Sequence, residues 1–106
     1  MSDPILIKFI KKIDRKLAKK IQTIYLFGSR ARHTERPDSD YDLLFIVHES
    51  FLDKDKDALY DIMMDILLET GNVLSLKIFN DEEFKRLLKI GTPFIKNVVQ
   101  EGIKIG

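Results

Sequence analysis

Residues 24–47 read IYLFGSRARHTERPDSDYDLLFIV, and the folding of this stretch decides how the remainder must be arranged. Ile24 to Phe27 is a short apolar run closed by Gly28, the pattern of a buried strand ending in a tight turn. Tyr41 to Val47 is a second such run, with Asp40 and Asp42 at its start. Side chains in a strand alternate faces, so both carboxylates point to one side with backbone positions about 6.5–7 Å apart. Two acids forced together beside a buried strand are costly unless a positive charge lies between them. A divalent cation is the natural candidate. Gly28 lets the backbone approach a ligand closely, and Ser29 offers a hydroxyl where a short helix over Ser29 to His33 is expected to begin. Free N–H groups at a helix start attract phosphate. A phosphate cradle facing an acid pair is the layout of metal-assisted phosphoryl or nucleotidyl transfer.

Plainer readings of the same residues exist. Asp-Ser-Asp is common in turns, but Asp42 runs directly into Leu-Leu-Phe-Ile-Val, which is strand sequence. Asp38, Asp40, Asp42 and Glu49 fall at positions 1, 3, 5 and 12 of a calcium loop. Position 6 of such a loop must be glycine, and here it is Leu43, which excludes an EF-hand. Gly28-Ser29 is not a Walker loop, because no Gly-Lys-Ser/Thr follows. Arg30 and Arg32 suit either a triphosphate or surface ion pairs. His33 and His48 lack matching partners and read as surface residues.

The chain has 106 residues, read here as one domain over 1–106. Hydrophobic residues make up 44% and charged residues 33%, the composition of a folded globular protein rather than a disordered one. Without cysteine there is neither a disulfide framework nor a thiolate metal site. No apolar run approaches the roughly 20 residues of a membrane span, and the start lacks a signal-peptide layout, so cytoplasmic residence is the expectation. The net charge of +1 predicts no nucleic-acid partner. Lys8, Lys11, Lys12, Arg15, Lys16, Lys19 and Lys20 do crowd one region, which reads as a solvated helix face before it reads as a phosphate-backbone footprint.

Along the chain, Asp3-Pro4 is a helix start, and Leu6, Phe9, Ile10, Ile13, Leu17 and Ile21 recur at helical spacing, predicting one amphipathic helix over 4–22. Strands are expected over 24–27, 41–47 and 73–79, with a polar flap between the first two. Helical periodicity returns over 52–69 and stops near Gly71. Asp81 is the expected cap of a helix over 82–90. Thr92-Pro93 opens a last helix stopped by Gly102, and Ile103 to Ile105 suits a short edge strand. Met63, Met64, Leu67 and Leu68 make a stripe wider than one helix face, suited to core or to a subunit interface. The order implies an α/β (α+β two-layer) domain with a small mixed sheet.

Gly28-Ser29, ten intervening residues and Asp40-Tyr41-Asp42 resemble the signature of the DNA polymerase beta-like nucleotidyltransferase superfamily. Arg30-Ala31-Arg32 and Pro37-Asp38-Ser39-Asp40 resemble it too, and the small size is similar to its minimal branch, the antitoxin partners of HEPN-domain toxins. The resemblance implies helices packed mainly on one face of the sheet, with the carboxylate side open. It implies Asp40 and Asp42 as catalytic metal ligands for Mg²⁺, in a one- or two-metal site. Gly28, Ser29 and Arg32 become the residues binding a nucleoside triphosphate, ATP first. The implied reaction moves a nucleoside monophosphate to a hydroxyl acceptor, such as a tyrosine of a HEPN-type partner, as the antitoxin of a pair. A minimal domain needs its acceptor site completed by a partner or by a second copy in a homodimer. The sequence departs from its relatives in two places. His33 stands where many have glycine, and the strand expected to bring a third carboxylate reads Val73-Leu74-Ser75-Leu76-Lys77, with Ser75 at the acid's place. That departure sustains an alternative from another class: a catalytically degenerate module that binds nucleotide or partner without turnover.

Overall fold

Asp3 begins the chain's first element. Its carboxylate accepts from the backbone N–H of Ile5 (2.8 Å) and Leu6 (3.2 Å), and Pro4 opens α1 (Pro4–Lys12). The computed structural model describes residues 3–28, 30–31 and 40–105. The expected helix over 4–22 is broken. Ile13 turns extended, Asp14 caps again by accepting from the N–H of Leu17 at 2.8 Å, and α2 (Arg15–Ala18) is a single short turn. An aspartate in a helical register competes for backbone N–H groups and resets the helix there. The β-branched and aromatic run after it extends the first strand backward to β1 (Ile21–Phe27).

The other elements are β2 (Tyr41–Val47), α3 (Asp53–Thr70), β3 (Leu74–Asn80), α4 (Asp81–Ile90), α5 (Pro93–Glu101) and β4 (Ile103–Lys104). The cap of α4 is Asn80, not Asp81. Its side chain accepts from the Glu83 N–H at 2.8 Å while Glu83 accepts from the Asn80 N–H at 3.0 Å. Asparagine serves both as the last residue of β3 and as the cap, which leaves Asp81 in the first turn to offset the helix dipole.

The sheet order is β3-β2-β1-β4, with β2 parallel to β3 and β1 antiparallel to both β2 and β4. β2 is buried on both faces, with Leu43, Leu44 and Phe45 fully enclosed, which is why its sequence is a continuous apolar run. One face packs Leu43, Phe45 and Val47 against Leu6 and Phe9 of α1 and Leu59 and Ile66 of α3; Phe9 meets Phe45 edge to face at 6.1 Å. This larger core bears out the mixed two-layer expectation. The opposite face, which carries Asp42, is not left bare. α4 and α5 cover Leu44 and Ile46 with Phe84, Ile95 and Val98. Helical cover on that face extends to Phe27, beside Asp42, through Phe94 of α5.

The broad stripe on α3 divides. Ile62 and Met63 pack against the core, whereas Tyr60, Met64, Leu67 and Leu68 stay exposed, Leu68 at 77%. No helix among the described residues is long and apolar enough to cross a membrane.

Candidate active site at the start of strand β2

The register of β1 against β2 sets Phe27 opposite Asp42, so the turn after β1 begins beside the acidic end of β2. Gly28 takes φ +76°, a left-handed conformation that glycine reaches without the Cβ penalty. A Cβ placed on Gly28 would collide with Oδ2 of Asp42 and lie 3.2 Å from its carboxylate carbon. Backbone and carboxylate thus share a space that only glycine leaves free.

Beyond Gly28 the chain passes to the other side of β2. The Arg30 guanidinium lies over the Tyr41 ring, 3.8 Å from its centroid, and Ala31 is buried in the larger core. The Tyr41 hydroxyl donates to Oδ2 of Asp3 at 2.9 Å, and the Tyr41 N–H donates to the Val73 carbonyl at 3.0 Å. Tyr41, between the two aspartates in sequence, therefore anchors the loop to α1 and β3. Sequence reasoning missed this role for Arg30, because stacking on a tyrosine and gripping a phosphate ask for the same residue.

Asp42 is half-buried as the second residue of β2, and Asp40 is exposed just before the strand begins. Ser29 and Arg32, expected to bind phosphate, lie outside the described residues, as do most of the short helix expected after Gly28 and the polar flap. On the other flank, parallel pairing sets Ser75 beside Asp42 and Lys77 beside Leu44. Paired residues of neighbouring strands face the same side. Ser75 thus stands next to Asp42 as the alignment of elements implied. Phe94, at the start of α5, completes the wall of the site: its ring meets Phe27 edge to face at 5.5 Å, and Lys77 Nζ is 5.9 Å from its centroid. Nothing local in the sequence marks Phe94, which arrives from far along the chain.

Among the described residues no group of three or more His, Cys, Asp or Glu is placed to hold a metal. The acid pair does suit a hard divalent cation that keeps several waters and completes its shell with phosphate oxygens, as Mg²⁺ does. The missing Cβ at Gly28 is what lets the Asp42 carboxylate lie against the turn. A cleft of about 490 Å³ at the other end of β2 and β3 is lined by Gln22, His48, Glu49, Asp81, Glu82 and Lys85. Its carboxylates outnumber its cations, the wrong sign for a triphosphate.

The family profile described as "Polymerase beta, Nucleotidyltransferase" matches residues 8–106. The chain belongs to this family. A curated relative from Methanocaldococcus jannaschii, provisionally named a protein adenylyltransferase, is 33% identical over 95 residues, covering 90% of this chain and 88% of that protein. Among solved structures, a toxin–antitoxin crystallised with AMP-PNP aligns at TM-score 0.59 and 21% identity, covering 98% of this chain and 72% of that one. A variant of the toxin–antitoxin MntA–HpeT aligns at TM-score 0.59 and 24% identity, covering 94% and 70%. The fold is accordingly that of a polymerase beta-like nucleotidyltransferase, as the Gly-Ser and Asp-x-Asp spacing implied.

Proposed function

We propose that this nucleotidyltransferase moves AMP from ATP to a hydroxyl on a protein acceptor, with Mg²⁺ bound by Asp40 and Asp42. The observation that carries the reading is the close approach of the Asp42 carboxylate to the Gly28 backbone, where strand, turn and acid meet. Gly28 and Ser29 bind the triphosphate, and Arg32 steadies it from the loop. The acceptor oxygen bonds to the α-phosphorus, the bond from that phosphorus to the bridging oxygen breaks, and pyrophosphate leaves with that electron pair. The hydroxyl proton passes to solvent, since Ser75 rather than a carboxylate stands beside Asp42. Bound Mg²⁺ supplies charge neutralisation at the phosphates. The relative named a protein adenylyltransferase supports AMP and a protein acceptor. The toxin–antitoxin neighbours favour a toxin as that acceptor. The resemblance noted in the sequence is what implies a HEPN-type toxin modified on a tyrosine. The test uses ATP labelled at the α-phosphate, Mg²⁺ and the product of the adjacent gene. Label should appear on that protein and vanish with Asp42→Ala.

Ser75 beside Asp42 favours a second reading, a module that neutralises its partner by contact alone. Partner inhibition that survives Asp42→Ala, with no label transferred by the unsubstituted chain, would establish the module and exclude the transferase.

A further inference from the structure

The charge on the site face is unusual for a centre handling a triphosphate with two divalent ions. Two-metal clamps hold ions about 3.5–4 Å apart and need ligands on both flanks. Here one flank has Asp42, and the strand paired to it supplies a neutral hydroxyl at Ser75 and a cation at Lys77. Counting Asp40 and Asp42 as −1 each and Lys77 as +1, these side chains sum to −1. That is enough for one divalent cation and poor for two.

Lys77 is exposed, lies two residues beyond Ser75 on the same strand face, and makes no ion pair among the described residues. The Cα separation of such residues is about 6.5–7 Å, within the reach of an extended lysine side chain. Its ammonium rests at the Phe94 ring, which touches Phe27, the residue paired with Asp42. An aromatic face holds a cation without neutralising it. The ammonium thus lies on the side of the site opposite the Gly28 turn.

We propose that Lys77 contacts the nucleotide's phosphates and supplies there the charge a second metal would otherwise bring, so the site binds one divalent cation per nucleotide. The inference rests on the nucleotidyltransferase reading and deepens it. The probe is Mn²⁺ with an ATP analogue whose α,β bridge is a methylene, so binding is read without turnover. Titration by electron paramagnetic resonance should give one Mn²⁺ per chain at saturating analogue. Lys77→Met should weaken analogue binding about tenfold or more, as loss of a charge-assisted hydrogen bond does, and Lys77→Arg should restore most of it. Circular dichroism melts of both variants should match the parent, since the side chain is exposed. Two Mn²⁺ per chain, or analogue affinity unmoved by Lys77→Met, overturns the role of Lys77 while leaving the transferase reading standing. Failure of the unsubstituted chain to bind the analogue at all overturns both.

Discussion

At Gly28 two demands fall on one residue: a left-handed backbone and room for the Asp42 carboxylate. Gly28→Ala should cost roughly 1–2 kcal/mol in backbone strain, measurable as a lower unfolding midpoint. It should also displace Asp42, so label transfer should fall far more than the stability loss explains. Asp42→Asn changes charge with little change in shape. It should leave the thermal melt near the parent's and reduce transfer about 10²–10³-fold, as loss of one electrostatic catalytic group does. Arg30 separates positioning from binding. Arg30→Ala removes the stacking on Tyr41, worth about 0.5–1 kcal/mol at an accessible site. It should raise the KM for ATP by loosening the loop while shifting the melt little. These three were unequally visible beforehand: the glycine and the acid are marked by spacing, whereas the arginine's partner is known only from the fold.

At the scale of elements, α3 is tied at both ends by carboxylates. Asp55 accepts from the Leu52 N–H at 2.8 Å and pairs with Lys20 at 3.0 Å, joining the start of α3 to the segment before β1. The Leu52 N–H foremost, then the Lys20 ammonium and the more distant Lys54, hold the Asp55 carboxyl below its ordinary value. Glu69, near the other end, is likewise lowered, by Lys8 at 2.7 Å and Lys12 at 3.0 Å. A carboxyl depressed by folding binds fewer protons in the native state, so the unfolded chain takes up protons as the pH drops. The stabilisation is fully present above the ordinary carboxylate value, about pH 4, and is lost as pH falls through the lower native value. Urea unfolding of Asp55→Asn should therefore show a deficit against the parent at neutral pH that closes in acid. A deficit independent of pH would assign Asp55 a packing role alone. The ties explain a misread boundary as well. Periodicity carried the first helix to residue 22, but Asp14 recaps the chain, and Lys20 turns toward α3 rather than continuing a helix.

Across the whole molecule, stability and site meet on β2, whose two faces serve two different cores. Phe45→Ala opens a cavity beneath α1 and should cost about 3–5 kcal/mol, seen as a large drop in the urea midpoint. Because small domains hold only about 5–15 kcal/mol in total, nucleotide binding should fall with the folded fraction rather than ahead of it. The glycine turn and the continuous apolar run of β2 follow from local chemistry. Backbone conformation, side-chain alternation and spacing along one strand are short-range properties, so the sequence determined them by itself. Three things belonged to the tertiary structure alone: Ser75 beside Asp42, α4 and α5 over half of the acidic face, and Phe94 between Phe27 and Lys77. A period of two assigns each side chain a face but never names the strand or helix that will lie against it. That choice is made by packing between residues distant in the chain, where the favourable contacts are summed over the whole core.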